Sequence, residues 1–219
     1  MNKLALRAMT ALAFMSLTVA PAYADVWTIG DDDGYGAGIA DGAPHPFGPI
    51  YDGRSAAEAA ATNGAQFTDT YSTAHPGYSA QAGTIATFSF TGLGSGWTQG
   101  AMIFDLADFQ ASTFGAALVS YNGFVQNWAF NDGYPNTAIH AFTLEQNVLD
   151  SINLLGTLTI TIDRNGSGDF YGFDYAQLSN IDVNSAVPEP GTWAMMLLGF
   201  GAIGVSMRRR KRVTIAQVA

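Results

Sequence analysis

From Thr84 onward the chain is a succession of short runs rich in β-branched and aromatic residues, and this pattern restricts the fold more than any other feature. The runs are Thr84–Phe90, Ala101–Leu106, Ala116–Tyr121, Val125–Phe130, Thr137–Leu144 and Leu154–Ile162, parted by Gly92-Leu93-Gly94-Ser95-Gly96, Asn122-Gly123 and Asn131-Asp132-Gly133. Thr84–Phe90 alternates apolar with polar side chains, as a strand with one buried face must. Asn122-Gly123 offers two residues that tolerate positive φ, the requirement of a type I′ hairpin turn. Short strands closed by turns at this frequency predict an all-β fold, an antiparallel β-sandwich of jelly-roll-like kind. No internal repeat is visible, which argues against a propeller or solenoid. Upstream the chain is irregular: Val26–Ile29 reads as a short strand, and Ser55–Thr62 as a helical turn with Ser55 and Glu58 spaced as a capping box. Leu144–Ile152 is the other helix-like stretch.

Both ends of the chain carry a different chemistry. Trp193–Met207 has no charged residue, follows Pro188-Glu189-Pro190, and is closed by Arg208, Arg209, Arg210, Lys211 and Arg212. Consecutive cations behind an apolar run resist transfer across a bilayer, so a separate C-terminal transmembrane helix is expected, with everything before Pro188 on the far side. At about 1.5 Å per residue the run reaches only ~22 Å, against ~30 Å of hydrocarbon, which suits transient retention better than a permanent anchor. At the other end Lys3 and Arg7 precede the apolar stretch Ala8–Ala20 and the small-x-small triplet Ala22-Tyr23-Ala24, the layout of a cleaved signal peptide. The expected division is a signal peptide over 1–24, a secreted acidic β-sandwich over 25–186, a sorting segment over 187–212 and a short cytoplasmic tail over 213–219.

The order Pro188-Glu189-Pro190, then Trp193-Ala194, then a glycine-containing apolar helix, then the basic block resembles the PEP-CTERM sorting signal of Gram-negative bacteria, in its Trp-Ala variant. The resemblance implies recognition and removal of the tail by an exosortase, a polytopic membrane enzyme. It also implies an inner-membrane-anchored precursor whose mature form reaches the cell surface or the extracellular matrix. Pro188, Glu189 and Pro190 would be the recognition element, and Arg208 to Arg212 the stop. Family members of this kind are associated with exopolysaccharide and biofilm matrix, so a non-catalytic role of that sort is the expectation here. Val213–Ala219 extends past the point where such tails usually end.

The formal charge of −9 conceals an asymmetry, because 7 of the 9 basic residues lie in the two end segments. Residues 25–186 hold 17 Asp and Glu against Arg54 and Arg164, with no lysine. Such a surface repels phosphate backbones, which excludes nucleic acid as a partner. It is compatible with solubility outside the cell, divalent cations and uncharged glycans. The absence of cysteine excludes disulfides and thiolate metal sites. A domain of about 160 residues is long enough for one substantial core.

Within the domain, Asp163, Asn165, Ser167, Asp169 and Asp174 fall at positions 1, 3, 5, 7 and 12 with Gly168 at 6, the donor spacing of a calcium-wrapping EF-hand loop. Position 12 is Asp instead of the longer Glu, and the flanks read as strands, so the same residues also read as a plain hairpin turn followed by a strand in which Phe170, Phe173 and Tyr175 pack. Calcium is the one cofactor these spacings suggest. Asp31, Asp32 and Asp33 form a second acidic turn with the same two readings. His45, His75 and His140 are isolated and read as surface or turn residues. The familiar hydrolase, zinc-protease and phosphate-loop motifs are absent. Trp27, Trp97 and Trp128 could stack on sugars, with Trp97, in its glycine-rich loop, the best exposed candidate. A non-catalytic protein is expected, with a polysaccharide-acting hydrolase or lyase on the same scaffold as the alternative.

Overall fold

The computed structural model describes residues 25–72, 85–127, 130–131, 134–164 and 166–181, and helical positions 196–201, 203–204 and 207. The strands are β1 (Val26–Gly30), β2 (Thr70–Tyr71), β3 (Ile85–Thr91), β4 (Ala101–Ala107), β5 (Leu118–Tyr121), β6 (Phe124–Val125), β7 (Thr137–Thr143), β8 (Thr157–Asp163) and β9 (Gly172–Ser179). Helical turns α1 (Ala56–Ala60) and α2 (Ala111–Phe114) and the helix α3 (Gln146–Leu155) lie between them. One sheet runs β1-β9-β4-β7 with β2 also against β9, and the other runs β3-β8-β5-β6. All strand pairs are antiparallel.

Setting aside the two-residue β2, the pairs are nested: β1 with β9, β3 with β8, β4 with β7, β5 with β6. Successive pairs alternate between the two sheets, so the chain behaves as one long hairpin wound around a core, the jelly-roll arrangement of a sandwich. The winding closes on Asn122-Gly123, whose φ values of 48° and 85° are both positive, as the I′ reading required.

The core follows from period-2 alternation. Ala86, Phe88 and Phe90 of β3 face Leu158, Ile160 and Ile162 of β8, all buried. From the other sheet Met102, Phe104 and Leu106 of β4 enter with Phe173, Ala176 and Leu178 of β9. Phe104 and Phe173 stand 5.6 Å apart and Phe88 meets Phe173 edge-on at 5.5 Å, which knits the two sheets. Helix α3 covers one end with Val148, Leu149 and Ile152, and stops where Gly156 takes a left-handed conformation. The Ser55–Glu58 capping box is present, each side chain bonding the other's backbone N–H.

Several expectations are corrected. Among the described residues of the run Val125–Phe130, strand extends over Phe124–Val125, with Gln126 N–H already turning back to the Val119 carbonyl. Leu154 and Leu155 belong to α3, not to the following strand. The segment 163–174 is no hairpin, because β8 and β9 lie in different sheets and the segment crosses between them. Phe173 enters the core, whereas Tyr175 is buried on the opposite face of β9 and Phe170 packs half-buried under Arg164. The expected C-terminal transmembrane helix falls in part on residues outside those described, and no helix among the described residues is long and apolar enough to cross a membrane. The helical positions between 196 and 207 are exposed, Leu197, Leu198 and Phe200 among them. The signal peptide, Pro188-Glu189-Pro190, Trp193-Ala194 and Arg208 to Arg212 lie outside the described residues.

Candidate metal centre

The site is built on an irregularity in the central strand. Opposite β4, Ala176 pairs with Phe104 and Phe173 with Leu106, so Asp174 and Tyr175 together oppose the single residue Asp105. This β-bulge explains how Phe173 and Ala176, three apart, both enter the core, and it turns Asp174 and Tyr175 to the outer face together. The chain immediately after β1 covers that face. Gly34 and Tyr35 N–H donate to the Asp174 carboxylate at 3.1 and 2.8 Å, and Tyr35 Oη donates to Asp105 Oδ1 at 3.0 Å. Asp174 and Asp105 are buried as completely as core residues.

Into the same place comes Asp69, from the segment before β2. Its backbone is pinned, with its N–H on the Phe173 carbonyl and its own carbonyl accepting from Gly53 N–H, and it sits at φ 54°. A left-handed conformation in a non-glycine residue is strained and persists only where the surroundings impose it. Asp69 is 0% exposed, no N–H or hydroxyl donates to either of its carboxylate oxygens, and the side chain it meets is the Asp174 carboxyl. Burial, and the facing Asp174, push its carboxyl up to about 10. Asp174 is raised for the same first reason, offset in part by the Tyr35 N–H, the Asp69 carboxyl and the Gly34 N–H. Asp31 and Asp33, exposed, bring carboxylate oxygens within 4.8 Å of each other and of Asp69. Asp33 also accepts from Gly36 N–H at 2.5 Å, which fixes its rotamer.

Among the described residues neither arginine supplies a cation here. Arg54 is paired with Asp52 at 2.5 Å, and Arg164 lies over the Phe170 ring at 4.5 Å. Four carboxylates meeting without a basic partner form a place where protons or a metal ion must balance charge. Glu58, a further acid facing Asp31 and Asp69, is occupied by Thr68 Oγ1 and its capping box.

The sequence-predicted calcium loop is spread out. Asp163 ends β8 against Ile85 and Leu118, Ser167 Oγ accepts from Asp169 N–H, Asp169 accepts from Gln110 N–H, and Asp174 belongs to the centre just described. Asn165 lies outside the described residues. Asp163, Asp169 and Asp174 form no converging ligand group. Trp97, expected exposed, is buried at 5% with Nε1–H on the Leu93 carbonyl. Its ring lies 5.3 Å from half-buried Trp27, and both line a cleft of about 170 Å³ with Asp25, Thr98, Gln99 and Asn180. His45 is likewise buried, stacked 4.6 Å from Phe47, and burial lowers its pKa, as it does that of half-buried His140. His75 and Trp128 lie outside the described residues.

Fold and site define an acidic two-sheet antiparallel sandwich with a carboxylate centre under its N-terminal loop. At the other end residues 186–211 match the PEP-CTERM protein-sorting motif, which indicates an exported protein with a C-terminal sorting signal. PEP-CTERM domains are processed by exosortase, a membrane enzyme. No curated protein matches the sequence. Among solved structures the chain is similar to a family GH115 4-O-methyl-α-glucuronidase with specificity for decorated arabinogalactans, at 17% identity and TM-score 0.32, covering 48% of this chain and 14% of that one. A family 35 carbohydrate binding module from Clostridium thermocellum gives 17% identity and TM-score 0.29 over 45% of this chain and 71% of that one. Dimeric latent PorU from Porphyromonas gingivalis gives 12% identity and TM-score 0.34 over 72% and 12%. This chain thus spans about a seventh of the first of these.

Proposed function

We propose that the protein is a non-catalytic cell-surface or extracellular-matrix component that associates with exopolysaccharide. It begins, once matured, at Asp25, and is held as an inner-membrane precursor by the segment 187–212 until an exosortase-type enzyme removes the tail. The observation that carries this reading is the sorting motif at residues 186–211 behind a β domain whose charge is almost wholly acidic. The sugar contact is the Trp27–Trp97 cleft, where an indole edge is ringed by Asp25, Thr98, Gln99 and Asn180. At about 170 Å³ it suits one residue of a longer chain better than an enclosed small molecule.

Mass spectrometry of the protein recovered from the cell surface tests the sorting: loss of Trp193–Ala219 is expected, and an intact tail overturns it. Co-sedimentation with the producing cell's exopolysaccharide, run beside a reducing-sugar assay, tests the role. Binding without product release is expected, weakened about 3–10-fold by Trp27→Ala, the worth of one aromatic contact. Release of product installs the hydrolase or lyase reading, and neither binding nor release removes the polysaccharide.

A further inference from the structure

The carboxylates under the N-terminal loop have a purpose that neither sorting nor sugar binding requires. We propose that Asp31, Asp33 and Asp69 bind a calcium ion that fastens the loop after β1 to the segment before β2. Two independent observations support it. Three carboxylate oxygens, two of them from a turn and one from a residue far along the chain, converge within 4.8 Å. The third belongs to a side chain that is completely buried, aimed into the cluster, and reached by no N–H or hydroxyl donor, the one side chain facing it being another acid, Asp174. A carboxyl in that condition must either keep a proton or have a positive charge beside it. Neither Arg54 nor Arg164 is placed to supply one, and the domain has no lysine.

The donor set selects the ion. All three ligands are hard carboxylate oxygens without histidine or cysteine, the preference of calcium and magnesium over zinc, copper or nickel. Oxygens across a calcium sphere of about 2.4 Å radius stand ~4.8 Å apart, and the waters that two exposed ligands admit complete a coordination number of about 6–8. Asp174 is a positioning residue here: held by Gly34 and Tyr35 N–H, it keeps the loop seated on the bulge beside Asp69. The ion would bridge chain segments that no covalent link joins, on a domain without disulfides. Sites of this kind in extracellular modules have dissociation constants of about 10⁻⁴–10⁻³ M, so the lock closes outside the cell.

The experiment is thermal unfolding of the purified full chain in EGTA and in 10 mM calcium or magnesium, with calorimetric titration of calcium. The wild type is expected to gain about 3–10 °C in calcium, the shift such affinities produce at that concentration, with one site per chain. Magnesium should give less than half of it. Asp31→Asn with Asp33→Asn, both exposed and therefore compatible with folding, should abolish the gain while leaving the melting temperature in EGTA unchanged or higher. Asp163→Asn with Asp169→Asn should retain the full gain. Absence of a calcium shift in the wild type overturns the proposal and leaves a proton shared by Asp69 and Asp174 as the occupant. Loss of the shift in the Asp163/Asp169 variant also overturns it, in favour of the 163–174 loop.

Discussion

Replacing Asp105 by Asn makes the electrostatic account quantitative. Asp105 lies at the bulge, 1% exposed, accepting from Tyr35 Oη at 3.0 Å and, when protonated, bonding to Asp41. Burial is the first cause that moves its carboxyl from 3.8 to about 7, with Asp174 and Asp41 adding repulsion and the Tyr35 hydroxyl opposing. Tyr175, itself pushed up to about 12, faces the same cluster. The folded protein therefore keeps a proton on Asp105 where the unfolded chain has released it. Because the folded value is the raised one, the stability it contributes is complete below about pH 4 and is lost as pH rises through 7. At 1.36 kcal/mol per pH unit the loss is at most about 4 kcal/mol, and local relaxation and water entry bring it to about 2 kcal/mol. Asn keeps the acceptor for Tyr35 and cannot ionise. In EGTA, the variant should melt within 2 °C of wild type at pH 5 and about 4–8 °C above it at pH 8. His45 and His140, lowered by burial, act in the opposite sense at acid pH but equally in both proteins, so they cancel in the difference. Calorimetry from pH 5 to 8 checks this. A difference that stays constant across the range refutes the reasoning.

Gly30→Ala is expected to destabilise by about 3 kcal/mol, because Gly30 sits at φ +78° and a Cβ there would meet the Asp174 carbonyl at 2.5 Å. Thermal melts should show it, together with a weakened calcium response, since the residue leads directly into Asp31. Ser55→Ala removes one half of the capping box over α1 and should cost about 1 kcal/mol, read as a fall of about 2–4 °C, while Glu58 keeps its bond from Thr68. A larger fall would mean that α1 supports more of the fold than its own turn.

What the sequence carried plainly is what depends on near neighbours. Alternation in Thr84–Phe90 placed Phe88 and Phe90 inward, Asn122-Gly123 gave its turn, and Ser55 with Glu58 gave its cap. All three are decided within a few residues by backbone geometry, so tertiary context had little to override. The failures begin where distant chain decides. Trp97 looked exposed among glycines, yet α3, far downstream, supplies the Asn153 side chain that holds its backbone and closes over it. The 163–174 segment had calcium spacing, but spacing describes a local wrap, and the chain there is stretched across the gap between two sheets. Asp174 was therefore legible as an acid of interest, grouped by its spacing with residues that do not stand beside it. Its real neighbours come from Asp31–Asp33, visible as an acidic turn, and from Asp69, which in Thr68-Asp69-Thr70 gives no signal at all. A bulge produces that juxtaposition, and a bulge leaves a trace in sequence only as a lapse of alternation. In Phe173-Asp174-Tyr175-Ala176, two core residues stand three apart, with an acid and a tyrosine between them that both need shelter on the outer face. Such a lapse in a central strand, next to carboxylates without basic partners, is a signal that could have located the centre. It asks which charge the surrounding chain is built to receive.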